Sequence, residues 1–434
     1  MPEGASDRTA LGDDRVVNGW YRFVLGFPPS TVRDHLRRFD VKPTSVVLDP
    51  FAGTGTTLVE CKKAGVKSIG VEVNPFTHLV SSVKVDWAPE PADLLNHAQS
   101  IRDEATRALE TAGTPDDTLP LLNGLGNARP DESLFMSLDE TRMKLLVGNS
   151  ISPLPLHKTL VLLEYINKYR DDRFFGHERL AVAKGLASDI GNLSFGPEVG
   201  VRSIKKDAPV VSAWFKTMQA MCLDLEAVRE NKSTESKVIE GDARKIDLIL
   251  PENAVDFVLT SPPYPNEKDY TRMTRLESVI LGFAQDKHGL RQLKSGLLPS
   301  NTRNVYQTTV KSEWTGRFPA IEELADRIES RRVELGKTSG FEKLYARVVR
   351  LYFDGMAQHL AGLRASLRRS ARLVYVVGDQ ESFFRVPVQT GELLATIAEH
   401  LGYELMGIEL MRRRFSTGSR QWLREEAVIL RWPG

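Results

Sequence analysis

Cysteine is nearly absent from this sequence, which contains Cys61, Cys222 and no third cysteine. Two cysteines far apart in the chain exclude a disulfide framework and any zinc site built from closely spaced cysteine pairs. The eight histidines are scattered, and none forms a pair at metal-ligand spacing. We therefore expect a protein that works without a bound metal.

Long apolar runs and a strong net charge are also missing. No apolar segment approaches the roughly 20 residues that span a bilayer. The polar N-terminal segment MPEGASDRTALGDDR lacks the apolar stretch of a signal peptide. The sequence therefore predicts a cytoplasmic protein with no membrane partner. Because the net charge is +1, binding to a nucleic acid would require local basic surfaces.

A strand, a glycine-containing turn, a helix and a second strand follow one another early in the chain. Residues 45–49 form a short β-branched run ending in an acid, which is typical of a buried strand. A helical stretch at 58–64 and an apolar run at 68–71 come after the turn. This order predicts the opening of a parallel α/β sheet.

The turn itself fits a ligand-binding loop. Gly53 and Gly55 let backbone amides approach a ligand without an intervening side chain. A phosphate-binding loop is excluded because the required lysine is missing, and the dinucleotide fingerprint is incomplete because Leu58 stands at its third glycine. Glu72, at the end of the second strand, is placed to accept hydrogen bonds from ribose hydroxyls. The glycines alone are equally compatible with an ordinary turn.

Two further strands carry polar residues at their ends. The run at 237–240 predicts a strand that leads to Asp242, and the run at 255–260 predicts a strand that leads directly into the tetrapeptide SPPY. Such a tetrapeptide by itself is more often a simple turn. Its position behind a strand, after a ligand loop and two strand-end acids, favours a catalytic role.

Taken together, the segments DPFAGTG (49–55) and SPPY (261–264) resemble the motifs of S-adenosylmethionine-dependent DNA amino-methyltransferases, which act on cytosine N4 or adenine N6. The resemblance implies a catalytic motif formed by Ser261, Pro262, Pro263 and Tyr264. It also implies that Glu72 binds the ribose of the cofactor and that Asp242 faces its adenine. The full set of implied cofactor contacts is Phe27, Pro28, Asp49, Phe51, Gly53, Gly55, Thr56, Glu72, Asn74 and Asp242.

The chemistry of amino methylation explains the tetrapeptide. The lone pair of an exocyclic amino nitrogen is delocalised into the base, so this nitrogen is a poor nucleophile. The Ser261 hydroxyl and the Pro262 carbonyl can accept hydrogen bonds from the amino group and favour a pyramidal nitrogen. Two prolines fix the direction of that carbonyl. Tyr264 can stack on a base that has been rotated out of the duplex.

The expected fold is a Rossmann-like α/β sheet, mostly parallel with a terminal antiparallel hairpin, plus helical insertions. A helix at 31–39, a basic helix at 360–369 followed by a strand at 372–379, a helix at 390–401 and a hairpin of 403–410 with 426–432 complete it. The expected segments are catalytic core at 1–86, a mainly helical insertion at 87–236, core at 237–284, a second insertion at 285–345 and core at 346–434.

Double-stranded DNA is the expected partner, and the resemblance implies a restriction–modification context with a cognate restriction endonuclease. One or both insertions would hold DNA through arginine and lysine contacts to phosphates, although helices that merely support the core explain them equally well. Arg412, Arg413 and Arg414, assigned to the hairpin loop, are further DNA-contact candidates, as is Arg272. The alternative for the hairpin arginines is an ordinary exposed charge run.

The identity of the methylated base is the open question. In the family, serine at the first tetrapeptide position goes mostly with cytosine N4 and aspartate mostly with adenine N6, so Ser261 favours N4-methylcytosine. Cytosine C5 methylation needs a cysteine nucleophile, and neither Cys61 nor Cys222 follows a proline. A methyltransferase acting on guanine N2 of RNA and a catalytically idle regulator remain as alternatives. The intact tetrapeptide argues against the regulator.

Overall fold

The computed structural model describes residues 14–22, 26–116, 131–195, 199–305, 314, 316–416 and 420–434. Most of the polar N-terminal segment lies outside these described residues. The chain divides into two compact units. The helical unit comprises Met1–Gly26, Leu79–Ser233 and Tyr270–Leu290, and the sheet unit comprises Phe27–His78, Thr234–Asp269 and Arg291–Gly434.

The strands, in chain order, are β1 (Val46–Asp49), β2 (Lys67–Glu72), β3 (Leu193–Phe195), β4 (Val199–Val201), β5 (Ser236–Glu240), β6 (Val255–Thr260), β7 (Leu367–Gly378), β8 (Glu404–Ser416) and β9 (Gln421–Arg431). The α-helices of the described residues are α1 (Pro29–Arg38), α2 (Thr56–Lys63), α3 (Pro75–Val85), α4 (Pro91–Thr111), α5 (Glu140–Met143), α6 (Pro153–Lys168), α7 (Phe175–Gly185), α8 (Val210–Ala227), α9 (Tyr270–Met273), α10 (Arg275–Ile280), α11 (Lys287–Gly296), α12 (Pro319–Glu334), α13 (Tyr345–Leu363) and α14 (Thr390–His400).

The sheet unit is built on a seven-stranded sheet in the order β5-β2-β1-β6-β7-β9-β8. Neighbouring strands from β5 to β7 are parallel, and β9 runs antiparallel to both β7 and β8. This arrangement confirms the predicted Rossmann-like fold with its terminal antiparallel hairpin. The strand order reverses between β1 and β6, and open α/β sheets bind ligands at that point, beyond the carboxyl ends of the strands.

Both faces of the sheet are covered, because alternate residues of each strand enter different apolar cores. Leu48 of β1 and Leu373 of β7 belong to a large core that includes the apolar face of α13. Their neighbours Val47 and Val374 belong to a second core with Val32 of α1. Burial on both faces explains why the strands read as nearly continuous apolar runs in the sequence.

The expected basic helix at 360–369 is wrong in its second half. Helix α13 ends at Leu363, and β7 begins at Leu367 and continues for 12 residues. The ladder between β6 and β7 already includes the pair Val255 and Leu367. Pairing with a neighbouring strand overrides the local helical pattern here, and Arg368 and Arg369 are exposed on a strand.

The terminal hairpin is longer than expected, and its arginines are not in the loop. Strand β8 extends to Ser416 and β9 begins at Gln421, so Arg412, Arg413 and Arg414 lie within β8. Charged residues can remain hydrated on the part of a strand pair that has no sheet neighbour. Their polarity therefore did not mark the turn.

The helical unit contains α4 to α8, and it covers most of the predicted insertion at 87–236. Residues from 291 onward, within the predicted second insertion, belong to the sheet unit instead. In the helical unit, the Tyr21 hydroxyl donates a hydrogen bond of 2.7 Å to the buried carboxylate of Glu277. Burial raises the pKa of Glu277 to about 7. Among the described residues, no helix is long and apolar enough to cross a membrane.

Packing between β2 and α2 generates a stability prediction at Gly70. A Cβ atom there would lie 2.9 Å from Leu58 Cδ1 and 3.0 Å from the Cβ of Ala52. Gly70→Ala should therefore lower the free energy of unfolding by about 1–3 kcal/mol, measured by urea denaturation. Gly407→Ala in β8 is the matched control, because a Cβ there meets nothing within 4 Å. Equal stabilities of the two variants would contradict the packing argument.

Candidate active site

Asp49 ends β1 and joins it to the neighbouring strand β6. Its Oδ1 accepts a hydrogen bond of 2.6 Å from the Thr260 hydroxyl and one of 3.2 Å from the backbone amide of Phe51. The side chain is buried, and burial raises the pKa of Asp49 to about 6. One carboxylate thus holds together the start of the glycine loop and the last residue before the tetrapeptide.

The glycine loop needs its glycines for backbone reasons. Gly53 has φ +53° and Gly55 has φ +81°, a left-handed conformation that other residues adopt at a cost. The amide of Ala52 donates to the carbonyl of Val71, at 3.1 Å, so the loop lies against the end of β2. Thr56 then begins α2.

Glu72, the last residue of β2, accepts several hydrogen bonds at the end of this strand. Its carboxylate accepts hydrogen bonds from the amides of Gly53 and Asn74, both at 2.8 Å, and from the hydroxyl of Thr77, at 2.9 Å. Because a carboxylate has about four acceptor positions, it keeps room for a further donor. Burial raises the pKa of Glu72 to about 7. The Asn74 side chain accepts from the amide of Phe76, at 3.0 Å, at the start of α3.

Asp242, unlike Glu72, already has a charged partner within the protein. Its carboxylate accepts a hydrogen bond from the amide of Arg244, at 2.9 Å, and forms an ion pair with the same residue's guanidinium, at 2.6 Å. An adenine amino group would be an additional donor to this carboxylate. Sequence reasoning missed Arg244 as its partner, because nothing in the motif marks that arginine.

Beside this position, Phe51 packs edge-on against the imidazole of His359, with ring centroids 5.1 Å apart. The imidazole is buried between the Ala243 carbonyl, at 2.9 Å, and the Tyr375 hydroxyl, at 2.8 Å. Burial lowers the pKa of His359 to about 4. A neutral histidine therefore supports the aromatic residue of the loop, and no sequence motif identifies it.

The tetrapeptide begins directly after β6, with Pro262 buried and Ser261 and Tyr264 half-buried. The Ser261 hydroxyl donates a hydrogen bond to Tyr264 Oη, and the Tyr264 hydroxyl donates one to Glu425 Oε1, both at 3.4 Å. Gly378, the last residue of β7, makes room for the tyrosine ring. A Cβ there would be 3.0 Å from Tyr264 Cε2. Neither Glu425 nor Gly378 could be assigned from sequence, because they approach from distant parts of the chain.

The residues after the tetrapeptide are clamped by the segment that follows α11. The amide of Asn266 donates to the Ser300 carbonyl, at 3.1 Å. The Glu267 carboxylate accepts from the amide and the hydroxyl of Thr302, both at 2.8 Å, and the Asn301 side chain donates to the Lys268 carbonyl, at 3.0 Å. This network fixes residues 266–268, which form the wall that follows the tetrapeptide.

Two of the three predicted hairpin arginines, Arg412 and Arg414, contact residues of the candidate site. Arg412 pairs with the buried Glu425, the acceptor of the Tyr264 hydroxyl. The Arg414 guanidinium lies 5.9 Å from the centroid of the Tyr264 ring and donates to the Asp379 carbonyl, at 2.9 Å. Arg413 is exposed.

Three further candidates belong to other elements. Arg272 belongs to α9 of the helical unit. Phe27 is half-buried against the core that contains Val32, and Pro28 is the residue that precedes α1.

Both cysteines are buried side chains of helices, Cys61 in α2 and Cys222 in α8. Burial raises the pKa of the Cys61 thiol well above its ordinary value and that of Cys222 to about 11. Each thiol is thus held in its poorly nucleophilic form. Within the part of the chain that the structure describes, no group of three or more metal-ligating side chains is positioned to hold a metal ion.

The raised pKa of Asp49 yields a pH prediction. The protonated carboxyl is favoured in the folded state, with a pKa of about 6 against 3.8 for the ordinary group. Its stabilising contribution is therefore complete below about pH 4 and is lost as the pH rises through about 6. An asparagine at this position would accept the same two hydrogen bonds without ionising.

Asp49→Asn should consequently gain stability relative to the wild type by up to about 3 kcal/mol between pH 4 and pH 7, measured as the difference in free energy of unfolding at each pH. Other buried acids cancel in this difference, except for Glu72, because the charge of Asp49 contributes to raising its pKa. A difference that stays constant with pH would contradict the assignment of the raised pKa to Asp49.

Comparison with known proteins finds similarity to DNA methyltransferases. A model of the N6/N4 methyltransferase family, described as DNA methylase, matches residues 20–81, which include the glycine loop and Glu72. The type II methyltransferase M.BsoBI of Geobacillus stearothermophilus is 23% identical over 445 residues, covering 96% of this chain and 84% of its own length.

Two further relatives are type II methyltransferases. M.AvaI of Nostoc sp. is 23% identical over 438 residues, covering 95% of this chain and 86% of its own length. M.MjaII of Methanocaldococcus jannaschii is 40% identical over 70 residues, covering 16% of this chain and 13% of its own length. The chain is thus similar to type II methyltransferases over most of its length and to the DNA methylase family model over residues 20–81.

Proposed function

We propose that this protein transfers a methyl group from S-adenosylmethionine to the exocyclic amino nitrogen of a base in double-stranded DNA, with cytosine N4 as the position and adenine N6 as the alternative. The observation that carries the proposal is the Thr260–Asp49 hydrogen bond of 2.6 Å. It joins the strand that leads into SPPY to the strand that leads into the glycine loop, at the switch point of the sheet.

The residues at this edge fit the proposed cofactor. Glu72 retains an acceptor position for ribose hydroxyls after its three internal hydrogen bonds. Beyond Gly53 there is open space, because a Cβ there would approach nothing closer than the Phe51 carbonyl, at 3.9 Å. The loop would hold the methionine part, and Asp242 would face the adenine. When bound, the cofactor would supply a methyl group on a positively charged sulfonium.

The contribution of the chain is to position and polarise the target amine. The Ser261 hydroxyl and the Pro262 carbonyl would accept hydrogen bonds from its two N–H groups and favour a pyramidal nitrogen whose lone pair is no longer delocalised into the ring. A residue fixed in advance in this way lowers the barrier without reorganisation during the reaction. Tyr264, packed against Gly378, would stack on the flipped base.

Ser261 supports cytosine N4 as the target, since serine at this position goes mostly with that base in the resembled family. The hydrogen-bond requirement is the same for adenine N6, which keeps that base as the alternative. The wall formed by Asn266 and Glu267 would contact the base ring and decide between the two. The names of the relatives, type II methyltransferases, support a restriction–modification role with a cognate endonuclease.

The reaction and the base are tested together. Genomic DNA from cells expressing the wild type, digested to nucleosides and measured by mass spectrometry, should contain N4-methylcytosine. DNA from cells expressing Ser261→Ala should lack it, because one of the two acceptors of the amino group is lost. N6-methyladenine would retain the mechanism and replace the base. Methylation of RNA alone would overturn the DNA assignment.

The assigned roles also separate binding from chemistry. Glu72→Ala should weaken S-adenosylmethionine binding about 10- to 100-fold, since hydrogen bonds to a charged group are removed. Ser261→Ala should bind the cofactor like the wild type while losing methyl transfer. Isothermal titration calorimetry on both variants measures this difference, and unfolding curves check that Glu72→Ala remains folded. Unchanged binding by a folded Glu72→Ala would refute the ribose assignment.

A further inference from the structure

We infer that the outer face of the β8–β9 hairpin tip is a DNA-contact surface, in which an aromatic pair stacks on exposed base or sugar faces and an arginine beside it binds a phosphate. The tip is defined by Arg412–Ser416 and Gln421–Arg424. This inference rests on the proposed function and deepens it, because it names the element that holds the duplex beside the site.

The hairpin tip projects beyond the edge of the sheet that carries the candidate site. Glu425 of β9 pairs with Gly378, the last residue of β7. The β9 residues before Glu425 therefore extend past the carboxyl end of β7. At about 3.4 Å per residue, four residues reach about 14 Å beyond that edge. A duplex with its target base at Ser261 would meet this projection.

Strand alternation gives the tip two different faces. The pairs Arg412 with Glu425 and Arg414 with Leu423 occupy one face, the face that contacts Tyr264. The pairs Arg413 with Arg424 and Phe415 with Trp422 occupy the other, since residues opposite one another and residues two apart share a face. The sequence run Arg412–Phe415 therefore contains two kinds of arginine.

The second face carries exposed aromatic surface. Phe415 is 51% exposed and Trp422 is 63% exposed, and their ring centroids lie 5.4 Å apart in an edge-to-face arrangement. Large aromatic side chains are ordinarily sheltered from water. A pair of them at the end of a projecting hairpin marks a contact surface. Where a neighbouring base has been rotated out of the duplex, a base exposes a π-face to such a platform.

The positive charge of the arginines on this face favours an anionic partner. Arg413 stands directly opposite Arg424, and like charges in a cross-strand pair are destabilising. Glu426 pairs with Arg424, at 2.6 Å, so Arg413 is the guanidinium that this face offers to a phosphate. Exposed aromatic rings combined with arginine fit a nucleic-acid strand. Because the tip lies beside the candidate site, the strand that it contacts belongs to the substrate duplex.

Binding of a fluorescently labelled DNA duplex, measured by anisotropy over a series of salt concentrations, tests the inference. The duplex carries the methylated sequence found in genomic DNA. Trp422→Ala and Phe415→Ala should each weaken binding about tenfold. Arg413→Ala should lower the slope of log K against log salt by about one unit, because one phosphate contact is lost.

Two variants elsewhere in the hairpin serve as comparisons. Arg431→Ala, at the opposite end of β9, should keep the wild-type salt slope, and Met406→Ala, exposed but far from the tip, should bind and methylate like the wild type. Wild-type affinity and slope in the Trp422 and Arg413 variants would overturn the inference while leaving the proposed function intact. If the wild type itself neither bound nor methylated duplex DNA, the proposed function would fail, and the inference with it.

Discussion

The hydrogen bond between the Thr260 hydroxyl and Asp49 determines the geometry of the candidate site. It joins the ends of β1 and β6 at the point where the strand order reverses. The loop after each strand leaves from a fixed position, so the glycine loop and the tetrapeptide keep a constant separation. Glu72 repeats this arrangement one strand away, where it ties Gly53 to the end of β2. The loops of the site are thus held by carboxylates that accept hydrogen bonds from protein groups in place of water.

Support for the tetrapeptide comes from parts of the chain that follow it at long range. Gly378 leaves room for Tyr264, Glu425 accepts its hydroxyl, and Thr302 holds the wall beyond it. These contacts serve the same physical purpose, since a short proline-rich loop cannot hold an aromatic ring and a hydroxyl in one geometry without neighbours. The terminal hairpin therefore has two functions, one on each face: it backs the tyrosine and, by our inference, holds the duplex.

Local sequence patterns predicted β1, β2, β5 and β6 well, because each is a short apolar run bounded by turn residues, and β1, β2 and β5 end in an acid. The patterns failed at β7 and β8, where charged side chains lie on strands. A run such as Leu367–Arg372 has no local preference that distinguishes helix from strand. The ladder with β6 decides it, and that ladder depends on residues more than 100 positions earlier in the chain.

By itself the sequence determined the fold class, the loop, the strand-end acids and the tetrapeptide, since these depend on residues that are neighbours along the chain. The tertiary structure alone decided which partners each group has: Arg244 on Asp242, His359 beneath Phe51, and Arg412 on Glu425. It also separated Arg413 from its two neighbours, because alternate residues of a strand point to opposite faces. That distinction depends on the residue across the strand, and no spacing within the run contains it.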